Sequence, residues 1–232
     1  MPAVIINAVV VLLCGGLGLL LKERLPRRLL DGLMQAMGLC VMVIGISGAV
    51  GTQNMLCVVV CMAAGTLLGT LLDIERHLDG LGERLRRRFD RGGEESTFTQ
   101  GFVTASLMFC VGAMVIVGSI QAGLEGDWTT LLSKTVIDGV TAVGLAATLG
   151  IGVLFAAVPV LLYQGTILLL AGLLSGVLGD AVVTEMSAVG GVLILAIGIN
   201  MLGMSKTPLK PGNMLPAIFL PLVYLPLMGI LA

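Results

Sequence analysis

An all-α membrane protein of about eight transmembrane helices, with inverted-topology repeats (spans 1-3 and 6-8) around a central pair, is the fold this sequence predicts. Three observations lead there. Hydrophobic residues fill 57% of the 232 positions and charged residues only 12%, whereas a soluble surface needs about 25% charge. Apolar runs long enough to cross a bilayer as helices, which takes roughly 20 residues, recur eight times between polar breaks. Residues that mark the first three runs return, in the same order, in the last three.

The expected spans are 3–21, 34–51, 54–72, 99–121, 135–156, 159–178, 187–204 and 213–231. They divide the chain into a first repeat (1–73), a basic connector (74–98), a central pair (99–157) and a second, inverted repeat (158–232). Span one carries Asn7 and the Gly15, Gly16, Gly18 cluster; positive charge follows it rather than precedes it, which fits a retained helix and not a cleaved signal peptide. Pro26 breaks the chain before span two. Span three opens at Asn54 and carries Gly65 and Gly69, a small-xxx-small face of the kind that lets helix backbones approach in lipid. In the connector, Ile74, Leu78, Leu81, Leu85 and Phe89 recur at helical spacing opposite arginines, the pattern of a helix lying on an anionic membrane surface. Trp128 suits an interfacial anchor before span five. Pro216, Pro221 and Pro226 should kink or break span eight.

Charge placement sets the orientation. Lys22, Arg24, Arg27 and Arg28 follow span one; Arg76, Arg84, Arg86, Arg87, Arg88 and Arg91 follow span three; Lys206 and Lys210 follow span seven. With those three segments in the cytoplasm, twelve of the thirteen basic residues lie inside and only Lys134 lies outside, as the positive-inside rule asks. Both termini are then outside. A seven-span arrangement would put one basic segment on the wrong face.

The repeat is read from three matches. Gly38, Ile44, Gly45 and Ile46 return as Gly191, Ile197, Gly198 and Ile199, setting Ser47 against Asn200. Asn54-Met55-Leu56 returns as Asn213-Met214-Leu215, and Asn7 with Gly15 as Gln164 with Gly172. Equivalent spans are five apart, an odd number, so they must run in opposite directions. That arrangement is common in secondary transporters, with the site near mid-membrane where the repeats meet.

The candidate substrate- or ion-binding residues follow: Asp138 and Lys134, with the repeat-related Asn7 and Gln164, Ser47 and Asn200, Asn54 and Asn213. Asp138 is an acid inside an apolar run, which marks a functional site by default; Lys134, four residues earlier, shares its helix face. The plain structural alternative is an interfacial ion pair with Lys134 snorkelling outward, helix-bonding amides, and simple capping by Asn54 and Asn213. Gly45-Ile46-Ser47-Gly48 matches the Gly-x-Ser-Gly of rhomboid-type intramembrane proteases, but such chemistry needs a base, and His77 falls in the connector. No catalytic residue, metal cluster, cofactor motif or nucleic-acid patch is indicated. Cys14, Cys40, Cys57, Cys61 and Cys110 all fall in apolar runs and read as packing residues.

Asn7 with Gly15-Gly16, Arg24-Leu25-Pro26, Ile44-Gly45-Ile46, Phe109-Cys110-Val111-Gly112, Glu125-Gly126-Asp127, Lys134 with Asp138, Ser187-Ala188-Val189-Gly190-Gly191 and Asn213-Met214-Leu215-Pro216 together resemble the YdfK/YqgA family of bacterial inner-membrane proteins. The likeness covers nearly the whole chain. It implies a bacterial plasma-membrane location and carries over no functional residue, that family being a domain of unknown function. The expected function is a non-enzymatic transporter or channel for a small solute or ion. The rival is a noncatalytic scaffold or regulatory subunit using the glycine faces and the basic connector. Membrane lipids and a small solute or ion are the expected partners, and the glycine faces are compatible with a homodimer.

Overall fold

The computed structural model describes residues 1–24, 26–78, 80, 95–111, 113–174, 176 and 178–231. Among these, no residue is in a strand. Helices run in the order α1 (Pro2–Arg24), α2 (Arg27–Val50), α3 (Met55–Leu71), α4 (Glu95–Cys110), α5 (Ala113–Leu124), α6 (Thr129–Leu149), α7 (Gly152–Phe155), α8 (Ala157–Leu169), α9 (Ala171–Leu174), α10 (Asp180–Met201), α11 (Pro211–Met214), a 3-10 turn (Leu215–Phe219) and α12 (Pro221–Leu231). Six segments are long and apolar enough to span a membrane, or seven if α4 and α5, which meet at 55°, form one broken span. The apolar α3 is one residue short of that length standard. Large side chains such as Leu13, Val43, Val50, Leu67 and Leu71 stand exposed, which suits lipid as the solvent.

Local chemistry explains the ends. The Asn54 carboxamide accepts from the Cys57 amide at 3.0 Å and caps α3. Gly203, at φ 62°, closes α10 with the amide of Met204 on the carbonyl of Ile199 and its own on that of Asn200, a Schellman motif that only a residue without Cβ enters freely. Asp127 Oδ1 accepts from the Thr129 amide at 2.9 Å and its hydroxyl at 2.7 Å at the start of α6, and these bonds hold the Asp127 carboxyl below its ordinary range. Because the folded value is depressed, this support for α6 is complete above the unfolded value and is lost as pH falls through the folded one. Thr129→Val should raise the Asp127 midpoint in an NMR pH titration.

Glycine contacts organise the packing. Gly45 meets the backbone of Gly191 and Leu195, and Gly198 meets Met42 and the carbonyl of Gly38. Those contacts make α2 and α10 antiparallel. Gly18 lies on Val143 and Ala146 and Gly139 on Val10 and Cys14, so α1 and α6 run parallel. Gly15 meets Leu154 while Asn7 meets Gln164, which sets α1 antiparallel to α7–α8. Gly65 abuts Ala217 and Gly69 abuts Asn213, seating α3 against the broken segment that starts at Pro211.

Several expected spans change. The second starts at Arg27 rather than 34, the fourth is bent between α4 and α5, and the fifth ends at Leu149 rather than 156, Gly150 at φ 82° leading into α7. The eighth is broken into α11, the 3-10 turn and α12, as its prolines require. The seventh begins at Asp180 rather than 187, and the difference buries Glu185 at 2% exposure. Its carboxylate accepts from the Thr52 hydroxyl at 2.6 Å and from the Gln53 and Asn54 amides at 2.8 and 3.0 Å, so it holds the loop before α3. Glu185→Ala takes the acceptor from the Gln53 amide and the Thr52 hydroxyl, the Asn54 amide keeping Thr52 Oγ1 at 3.1 Å, and should cost about 1.5–3 kcal/mol in thermal unfolding, while the exposed Glu125→Ala should shift stability by less than about 0.5 kcal/mol. Of the expected connector helix, Ile74 and Leu78 lie on a helical stretch at 74–78. Leu81, Leu85, Phe89 and the arginines from Arg84 to Arg91 lie outside the described residues.

Candidate functional site

Close approach of α1 to α6 at Gly18 and Gly139 brings polar residues of three helices together. Asp138 is the tenth of the 21 residues of α6, about 14 Å along the helix from its start at 1.5 Å per residue. It therefore sits at the middle of the helix, not at its mouth. Lys134 Nζ donates to Asp138 Oδ1 at 2.7 Å and to Oδ2 at 2.5 Å. The two residues are 6% and 3% exposed, so Lys134 does not snorkel outward. Its ammonium also lies 6.0 Å from the centre of the Phe109 ring, within cation–π range.

Asn7 on α1 and Gln164 on α8 complete the cluster, and both are fully buried. Asn7 Nδ2 donates to Asp138 Oδ2 at 3.1 Å and to Gln164 Oε1 at 3.2 Å. A carboxylate only accepts, so it fixes which end of the Asn7 amide faces it; the Gln164 carbonyl then faces the same NH2. Two atoms are left over. Asn7 Oδ1, an acceptor, and Gln164 Nε2, a donor, are buried with no partner, an unusual state for buried polar groups.

A pocket of about 190 Å³ is bounded by α4, α8, the 3-10 turn and the helical residues at 74–78. Leu78 and Ile218 stand in its wall with Phe102, Ser106, Cys110 and Tyr163. Cys110 follows Phe109, whose ring centre lies 6.0 Å from Lys134 Nζ. The hydroxyl of Ser106 is buried without a partner.

The other expected site residues are not brought into this cluster. Ser47 is exposed on α2. Its repeat equivalent, Asn200, closes the loop after α10, accepting from the Leu209 amide at 2.9 Å and donating to the Leu209 carbonyl at 2.8 Å. Asn54 caps α3, and Asn213 Oδ1 accepts from the Glu75 amide at 2.7 Å while Glu75 accepts from the Gly212 amide at 2.7 Å. His77 is exposed, its Nδ1 2.9 Å from the Asp73 carbonyl oxygen. All five cysteines are thiols, with Cys57 and Cys61 Sγ 3.8 Å apart. No group of three His, Cys, Asp or Glu able to hold a metal occurs among the described residues.

Sequence reasoning missed Glu185 and the cavity. An acid two positions ahead of a long apolar run was the available signal for the first. The second had none, because Phe102, Tyr163 and Ile218 meet only through tertiary packing.

Comparison with known proteins places the chain. Residues 2–225 match the family model described as Protein of unknown function (DUF554). The Uncharacterized membrane protein YdfK of Bacillus subtilis is 33% identical over 218 residues, covering 91% of this chain and 90% of the relative. The Uncharacterized protein YqgA of Escherichia coli is 33% identical over 214 residues, with the same coverage of each. No solved structure matches. A family match over nearly the whole chain, two relatives at this identity and several apolar helices together make this a membrane protein that belongs to the DUF554 family, as the residue resemblance implied.

Proposed function

We propose that the protein is a transporter or channel for a small solute or ion, not an enzyme, in the bacterial inner membrane. It crosses the bilayer eight times with both termini outside: α1, α2, α3, α4–α5, α6, α7–α8, α10, and α11 through α12. The helix directions support this count. Strict alternation makes passes one and five parallel, one and six antiparallel, two and seven antiparallel, and three and eight antiparallel, which are the senses of the glycine contacts.

The inverted repeat has its own support. Gly45 touches Gly191, and their repeat equivalents Gly198 and Gly38 touch each other. Such reciprocity is what a two-fold axis produces. Asn7 and Gln164, also equivalents, share a hydrogen bond, so the axis runs between them.

The observation that carries the functional reading is the buried cluster of Asn7, Lys134, Asp138 and Gln164 at this junction. Hydrophobic replacement of a buried ion pair is often neutral or stabilising. A structural role alone therefore gives little reason to keep one in mid-membrane, where ionisable residues mark solute and proton routes. The test is thermal stability of the purified protein across ions, pH values and small metabolites, for wild type, Asp138→Asn and the charge-free Lys134→Met/Asp138→Leu. A ligand at 100 times its dissociation constant stabilises the folded state by about 2.7 kcal/mol. Such a response in wild type, absent from both variants, is expected; a response equal in all three would place the binding elsewhere.

A further inference from the structure

We infer that Cys57 and Cys61 form a binding site for a soft, two-coordinate monovalent cation of the Cu(I) class. The two residues are four apart on α3, a helix that supplies nothing to the buried charge cluster, and they share one face of it. Both are free thiols, 0% and 1% exposed, with their sulfurs 3.8 Å apart. Gly65 and Gly69, at the next two steps of four, carry the same face onto Ala217 and Asn213. The thiols therefore stand at one end of the seam between α3 and the broken segment, within the first two turns of α3.

The separation fits an ion between the sulfurs. At about 2.3 Å per metal–thiolate bond, two sulfurs on one ion lie about 3.8 Å apart at the tetrahedral angle and about 4.6 Å apart in line. The observed distance is at the near end of that range, and small rotations of the two side chains reach the rest. A disulfide does not fit. It needs Cβ atoms about 3.5–4.5 Å apart, whereas positions four apart on a helix hold them at about 5–6 Å, so closing the bond would unwind the turn.

Ligand number and type select the ion. Among the described residues no third His, Cys, Asp or Glu joins the pair. The Glu185 carboxylate, at the same end of α3, is committed to Thr52, Gln53 and Asn54. Structural zinc takes about four protein ligands, and calcium takes about six to eight oxygens. Two sulfurs without an oxygen suit a soft ion instead, the kind that thiolates select. One thiol gives its proton to bulk water as it binds. A monovalent ion held by one thiolate and one thiol is then neutral as a unit, which apolar surroundings require.

The test is anaerobic competition for Cu(I) between the full chain in lipid nanodiscs and the chromophoric chelator bicinchoninate. Wild type and the Cys14→Ala/Cys40→Ala/Cys110→Ala chain should each withdraw a single ion per chain. Cys57→Ala and Cys61→Ala should each weaken binding at least about tenfold, and the double variant should abolish it. Copper X-ray absorption of the loaded protein should show two sulfur neighbours, and excess Zn(II) should not displace the ion. The single variants decide the matter should the double variant fold poorly. No uptake by wild type, or uptake that survives without Cys57 and Cys61, would overturn the inference. So would uptake lost from the chain that lacks the other three cysteines, or displacement by Zn(II). None of the four cluster residues is altered, so either result leaves the transporter or channel reading to its own test.

Discussion

Asp138→Asn should lose about 3–5 kcal/mol of stability, because it leaves the Lys134 ammonium buried without its counter-charge. Lys134→Met should cost a similar amount by stranding Asp138. The double variant Lys134→Met/Asp138→Leu removes both charges together and should recover most of the loss, or exceed wild type. Thermal unfolding of the four proteins in one detergent checks this. The cycle separates two roles for the pair. A large single-variant cost with full recovery in the double variant means the pair adds no net stability, so that its retention points to function. A double variant that stays as unstable as the singles would mean that the pair adds net stability and is a structural element.

Gly69→Ala should cost about 1–3 kcal/mol or more, since the new methyl would meet the backbone of Asn213, which has no rotamer to yield. Gly45→Ala should behave alike, its methyl falling 2.5 Å from the amide nitrogen of Leu195. Gly16→Ala is the contrast. No atom lies within 4 Å of its added carbon, and alanine in place of glycine within a helix gains about 0.5–1 kcal/mol. The three variants differ only in what faces the methyl. If Gly69→Ala and Gly45→Ala were as stable as Gly16→Ala, the α3 and α2–α10 contacts would be looser than the structure has them.

Much of the site was legible because its physics is local or repeated. Lys134 and Asp138 share a helix face at a spacing of four, and charge within an apolar run stands out. Asn7 and Gln164 were linked through the repeat, and only the structure adds that they touch. Their contact explains why the other pairs do not meet. Under the proposed inverted repeat, equivalent residues would touch only near mid-depth. Asn54 and Asn213 stand at helix starts, and each turns to a nearby amide, that of Cys57 and that of Glu75. Glu185 was hidden because its helix begins seven residues before the apolar run, with polar residues in its first turns. An acid there reads as loop until the Gln53 and Asn54 amides are seen to need it.

The sidedness of two loops tests the inverted arrangement most directly. Gln53, between α2 and α3, and Lys206, between α10 and α11, are both exposed, and the proposed repeat makes their loops equivalent. Single cysteines placed at each, in a chain whose five native cysteines are alanine, would be labelled in intact cells by a membrane-impermeant maleimide. Label on Gln53→Cys from outside, and on Lys206→Cys only after the membrane is opened, is the expected result. Both positions labelled from the same side would contradict inverted repeats, and with them a site on an axis between Asn7 and Gln164.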